Sequence, residues 1–106
     1  MPKKIKYYLK NKIILDAGSG TGRFSYLVKK LRPKMLFSVD FSEEATFQTQ
    51  QNLMPLNKNI IIIRADLNNL PFRKNKFDFI FSFGVIHHTN SPKKTFDKLA
   101  NLVKKN

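Results

Sequence analysis

Cysteine is absent from the 106 residues, which excludes a disulfide framework and thiolate metal sites and agrees with a reducing compartment. Missing too is any apolar run near the roughly 20 residues of a membrane span. The basic N-terminus MPKKIKYYLK has no uninterrupted apolar segment behind it, so no export signal is read there. The expected location is cytoplasmic, with no membrane partner. Acidic residues are scarce, seven against 20 Lys and Arg, which leaves a formal net charge of +13. A balance of this size opens nucleic acid as a partner, although the lysines form no single stripe interleaved with aromatics and also read as solvated faces. What the chain does have is core material. An apolar fraction of 42% with ten Phe fits one small globular domain and argues against disorder.

The apolar residues sort into alternating strands and helices. Ile13, Ile14 and Leu15 lie in a strand over about 12–17 that is apolar on both faces, as expected of a central parallel strand. After Asp16 the chain opens into Gly18, Gly20 and Gly22, and Phe24, Leu27, Val28 and Leu31 then recur at helical spacing. This helix runs from about Gly22 to Leu31 and must stop by Arg32, because Pro33 disfavours helical geometry in the residue before it. A second strand, Met35 to Val39, ends at Asp40. Ser42 caps a second helix with Glu43 and Glu44 in its first turn, where negative charge suits the helix dipole; its apolar pattern, Ala45, Phe47 and Leu53, is thin.

Ile60 to Ile63 is a run of four β-branched residues and reads as a buried third strand, followed by Arg64, Ala65 and Asp66. The loop 67–75 leaves no room for a full crossover helix. Phe77 to Phe83 gives a fourth strand and 84–90 a loop containing His87 and His88. Ser91 caps a last helix with Pro92 at its first position and Phe96, Leu99, Ala100 and Val103 as its buried stripe. Strands alternating with helices predict an α/β domain with a parallel sheet joined by right-handed crossovers.

In such a sheet, ligands bind beyond the carboxyl ends of the strands, where the strand order reverses. Three of the seven acidic residues, Asp16, Asp40 and Asp66, fall at strand ends. Glycines at alternate positions let the backbone turn sharply and approach a ligand, and the helix that follows points unpaired N–H groups over the turn. Asp40, beside that turn, can accept from both vicinal hydroxyls of a ribose. Asp66, one strand further out, can accept from an exocyclic amine such as that of adenine. Each aspartate also has a plainer role open to it: Asp16 bonding the glycine loop's backbone, Asp40 capping the helix that Ser42 begins, Asp66 capping the turn after it.

The turn Gly20-Thr21-Gly22-Arg23-Phe24 lacks the Lys and Ser or Thr of a P-loop, so triphosphate chemistry is disfavoured. Its third glycine comes one residue too early for the dinucleotide fingerprint. His87 and His88 are adjacent, diverge in direction and share no third ligand, so no metal site is expected. Lining an acceptor pocket and a structural loop role both stay open for them.

DAGSGTG after a hydrophobic strand, VD followed by an aromatic, RADLNNLPF after strand three and FDFIFSFGVIHHT at strand four stand in that order. With them the chain resembles the class I S-adenosylmethionine-dependent methyltransferases over about residues 12–105, and within these the small-molecule group. The resemblance implies a Rossmann-like sheet of order 3-2-1-4 with helices on both faces and S-adenosyl-L-methionine as cofactor. It implies that Gly18, Gly20 and Gly22 line the methionine end, with Asp16 near its amino group. By the same resemblance Asp40 binds the ribose hydroxyls and Phe41 lies against the adenine ring. Asp66 then takes the adenine amine with the Leu67 N–H close to the ring nitrogen, and Phe83 offers backbone contacts to the methionine part. The reaction implied is in-line displacement of the sulfonium methyl by an acceptor nucleophile. The protein's share is to align the partners and exclude water, and no catalytic base is assigned. The acceptor implied is a small molecule, with RNA the alternative that the basic charge opens.

Methyltransferases of this class continue past the fourth helix with a Pro-Gly-Gly turn and three further strands, giving a seven-stranded sheet. Against that pattern residues 1–106 read as a single domain, the N-terminal cofactor half, truncated after strand four and its helix. Strand four is then expected to be an exposed apolar edge, which a partner chain or a second copy would cover. A non-catalytic cofactor-binding fragment or interaction module is the reading from a different class.

Overall fold

The computed structural model describes residues 8–83, 85, 86 and 89–105. Four strands, β1 (Ile13–Ala17), β2 (Met35–Asp40), β3 (Ile60–Arg64) and β4 (Phe79–Phe81), form one sheet in the order β3-β2-β1-β4. All three pairings are parallel. Helices α1 (Arg23–Lys29) and α2 (Glu43–Asn52) connect β1 to β2 and β2 to β3, and α3 (Pro92–Ala100) follows β4. The chain steps outward from β1 through β2 to β3, then returns to the other side of β1. The point of reversal lies between β1 and β4, as the sequence pattern requires.

Register decides which side chains share a face. Ile14 pairs with Leu36 and Phe79, and Asp16 with Ser38 and Phe81. Because side chains alternate along a strand, Ile14, Leu36 and Ile60 pack with Val28 of α1 and Leu53 just past α2. Leu15, Ala17, Phe37 and Val39 pack on the opposite face with Leu67, Phe77 and Leu99. The two cores bury both faces of β1, which accounts for its unbroken apolar run.

Ser42 caps α2 as expected, its Oγ accepting from the Ala45 N–H at 3.1 Å. Three expectations are corrected. Strand four is shorter than Phe77 to Phe83. Beyond Phe81 its partner strand runs into the glycine turn, and before Phe79 the chain leaves to form an isolated bridge between Phe77 and Val103. The buried stripe of α3 is also rotated: Thr95 and Leu99 are buried and Leu102 continues them, while Phe96 is 59% exposed and Ala100 is exposed. Thr95 turns inward because its hydroxyl donates to Asn68 Oδ1 at 2.7 Å, a polar anchor that an apolar pattern does not reveal. Ser91, at the N-cap of α3, makes no side-chain cap bond.

Candidate functional site

Asp16 is buried at the carboxyl end of β1. Its Oδ2 accepts from the Ser25 hydroxyl at 2.7 Å, and Ser25 is hydrogen-bonded in turn to Ser38. A serine has one hydroxyl proton. Ser25 gives its proton to Asp16, so Ser38 donates to Ser25, and a chain of three buried side chains runs from β2 through α1 to β1. Burial, opposed by the Ser25 hydroxyl and helped by the nearby charge of Asp40, pushes the Asp16 carboxyl up to about 6.

The glycine turn is tied down from beside. The N–H groups of Gly18 and Ser19 both donate to the Val39 carbonyl, at 2.7 and 2.8 Å. Gly20 and Gly22 have φ of 56° and 84°, which side chains rarely adopt. Their surroundings separate their tasks. A Cβ on Gly22 would stand 2.9 Å from the Thr49 Cα, whereas one on Gly20 would meet nothing within 4 Å. Gly22 therefore lets α1 approach α2 closely, and Gly20 leaves bare backbone facing open space. Gly18 is covered by the chain after β4, with Val85 Cγ2 only 2.5 Å from where its Cβ would be.

Asp40 ends β2 and serves two backbone donors. Its Oδ2 accepts from Gly20 N–H at 2.8 Å and its Oδ1 from Ser42 N–H at 2.9 Å. It thus shapes the turn and helps begin α2, and each carboxylate oxygen still has acceptor capacity. Thr49 braces the turn from α2, donating to the Gly20 carbonyl at 2.8 Å.

Above these residues opens a pocket of about 510 Å³ lined by Asp16, Gly18, Gly20, Asp40, Phe83 and Val85 together with residues of α1, within the range of small-molecule sites. Two larger clefts lie elsewhere: one of about 670 Å³ against α2 and β3, and one of about 550 Å³ by Tyr26 and Asn52. Neither gathers the strand-end aspartates, so chemistry and not volume selects the smaller one.

Of the expected cofactor residues, Asp16, Gly18, Gly20, Asp40 and Phe83 meet in this pocket, and Gly22, Phe41, Asp66 and Leu67 do not line it. Gly22 is buried against α2. Phe41 is 67% exposed, with the Arg64 guanidinium 5.9 Å from its ring centroid. Asp66 is exposed, and its Oδ1 accepts from the Asn68 N–H at 2.9 Å. Leu67 belongs to the core. His87 and His88 lie outside the described residues. Among the described residues no group of three or more His, Cys, Asp or Glu could hold a metal ion, and no helix is long and apolar enough to cross a membrane.

The sequence reading missed Ser25, Ser38 and Thr49. The available signal was a hydroxyl residue inside the apolar strand MLFSVD and another on the inward side of α1. The aromatic wall was missed as well: Phe24 lies 4.7 Å from Phe83 between ring centroids.

The pocket suits S-adenosylmethionine on the chain's own evidence. Gly20 leaves bare backbone on the open side of the turn, Asp16 can face a cationic amino group, and Asp40 retains acceptor capacity for a diol.

Comparison with known proteins bears on the family and the fold. Residues 15–106 match the family model described as a methyltransferase domain. A tRNA U34 carboxymethyltransferase of Ruthia magnifica subsp. Calyptogena magnifica is 31% identical over 104 residues, a match covering 91% of this chain and 30% of that protein. One from Aliarcobacter butzleri is 30% identical over 94 residues, covering 89% and 31%. The chain thus spans about a third of the length of these curated relatives. Among solved structures, an S-adenosylmethionine-dependent methyltransferase of Aquifex aeolicus has a TM-score of 0.82 at 24% identity, covering 95% of this chain and 55% of that one. A likeness at that identity bears on the fold.

Proposed function

Because the chain belongs to the methyltransferase domain family, we propose that residues 1–106 form the cofactor half of an enzyme that transfers the methyl group of S-adenosyl-L-methionine to RNA. The observation that carries the cofactor reading is the pocket in which Asp16, Gly20 and Asp40 converge. When bound, S-adenosyl-L-methionine supplies a carbon on a positively charged sulfur, a leaving group that needs little further activation. The chain's residues bind and orient. Asp16, ionised, holds the cationic amino group. Asp40 accepts from the ribose hydroxyls, and the bare backbone at Gly20 permits close approach. Phe24, Leu27, Phe83 and Val85 form an apolar wall that limits water near the reacting centre. Phe41 and Asp66 extend the site toward the adenine along the ends of β2 and β3.

The RNA acceptor is supported by relatives named for tRNA U34 and by the +13 charge. The small-molecule acceptor implied by the motif likeness has neither support.

Calorimetry with S-adenosylhomocysteine tests the cofactor reading. Wild type should bind. Asp40→Ala should bind at least about tenfold more weakly through loss of charge-assisted hydrogen bonds. Gly20→Val, which puts a branched side chain over the bare turn and leaves both acids in place, should bind weakly too. No heat from a folded wild-type chain would overturn the proposal.

A further inference from the structure

The amino ends of the strands form the rim opposite the pocket, and backbone hydrogen bonds trace it as one edge. Lys104 N–H donates to the Phe77 carbonyl, Asp78 N–H to Ile13, Lys34 N–H to Lys12 and Leu36 N–H to Asn59, each at 2.8 Å. Along this edge Lys10, Arg32, Lys34, Lys58, Arg73 and Lys74 are exposed. None of these six is in an ion pair among the described residues. The acid here is Asp78, and it is already engaged, accepting from Ile13 N–H at 2.8 Å and paired with Lys104 at 3.2 Å. Asp16, Asp40, Glu43, Glu44 and Asp66 stand toward the carboxyl ends of the strands instead, and Asp97 lies on α3. The carboxyl-end rim thus carries both signs, with Arg23 and Arg64 among its acids, whereas the six cations of the amino-end rim face one acid that is already paired, a bias that an even compositional drift toward lysine would not produce.

These cations lie on the segments that lead into all four strands, so they set a row of positive charge across the sheet edge that suits a polyanionic strand. Contacts to phosphate fix position and register without reading sequence. We infer that this rim docks the phosphate backbone of the acceptor RNA, away from the reacting base. The inference rests on the RNA-acceptor reading above. It requires an RNA long enough to pass from one rim to the other across a molecule with extents of 36 × 33 × 24 Å, and so favours a folded RNA over a mononucleotide.

The test is fluorescence anisotropy with a labelled, unmodified tRNA transcript across a salt series. It compares wild type, the rim double variant Lys34→Gln/Lys58→Gln, and Lys93→Gln/Lys94→Gln, which removes the same charge from α3. The rim variant should bind about tenfold or more weakly at low salt, and its slope of log K against log salt should be shallower by about 1.4, the loss of two contacts. The α3 variant should stay close to wild type. S-adenosylhomocysteine affinity should be equal in all three. If wild type binds the transcript and both variants match it, or both weaken alike, the rim assignment is overturned and the RNA reading stands. If wild type ignores the transcript, both fall. Rim-dependent binding to phosphatidylserine vesicles without RNA binding would overturn the RNA partner in favour of a membrane surface.

Discussion

Buried beneath the glycine turn, the Asp16 carboxyl titrates near 6 and not at 3.8, so between those values the folded chain holds a proton that the unfolded chain has released. Stability therefore falls as pH rises through that window and stays lower above it, by about 3 kcal/mol. Asp16→Asn removes the charge and keeps an oxygen for Ser25. Chemical denaturation should find this variant more stable than wild type at pH 7.5, by about 1–3 kcal/mol, and without that advantage at pH 3.5. Ligand binding carries the opposite sign, since the cationic amino group of S-adenosylhomocysteine favours ionised Asp16. Its affinity for wild type should rise from pH 5 to 7.5, and Asp16→Asn should flatten that rise. Asp78 behaves as an ordinary paired acid. Burial works against it, but the Ile13 N–H, Lys104 and Lys12 outweigh burial and hold its carboxyl low, so its contribution is present above 3.8 and lost as pH falls through the lower folded value. The glycines give a second contrast at this scale. Gly22→Ala sets a methyl against the Thr49 backbone and should destabilise by about 2 kcal/mol or more. Gly20→Ala should cost about 1–2 kcal/mol in backbone strain and show its larger effect on ligand affinity. Thermal denaturation and calorimetry separate the two. Asp40 was legible because a strand end beside a glycine turn leaves a carboxylate few other neighbours. Ser25 and Ser38 were not, because a hydroxyl's direction depends on register, which no single segment contains.

Among the elements, α3 shows where pattern reading loses phase. Two stripes share Leu99, one running through Phe96, Ala100 and Val103, the other through Thr95 and Leu102, and apolarity alone prefers the first. The Thr95 bond to Asn68 and the Phe77–Val103 bridge choose the second. Truncating the buried member, Leu99→Ala, should cost about 2–4 kcal/mol, while Phe96→Ala should stay within about 0.5 kcal/mol; equal losses would refute the assigned face. β1, β2 and β3 were readable almost to the residue, since each is an apolar run ended by a polar residue. β4 was overestimated because Phe77, Phe81 and Phe83 look alike in sequence, and only the length of β1 limits how many of them can pair.

For the molecule as a whole, 20 basic residues against seven acidic concentrate repulsion at the rim opposite the pocket. Raising sodium chloride from 20 to 200 mM shortens the screening length from roughly 20 Å to about 7 Å and should raise the melting temperature by a few degrees, measured by scanning calorimetry. An unchanged value would mean that the rim charges do not strain the fold. The order β3-β2-β1-β4 has a kinetic consequence as well. β1 and β2 meet after one short crossover, whereas the bond from Ile13 to Asp78 closes a span of 65 residues. Loop-closure entropy must be met before such distant contacts reward it, so the segment from β1 through β3 is expected to organise first, and β4 with α3 to join late. Val85 rides on that late segment and covers Gly18. In pulsed hydrogen exchange the amides of Phe79 to Phe81 should gain protection after those of Leu36 to Val39, and the pocket wall made by Phe83 and Val85 would then be the last part of the site to form and the first to open.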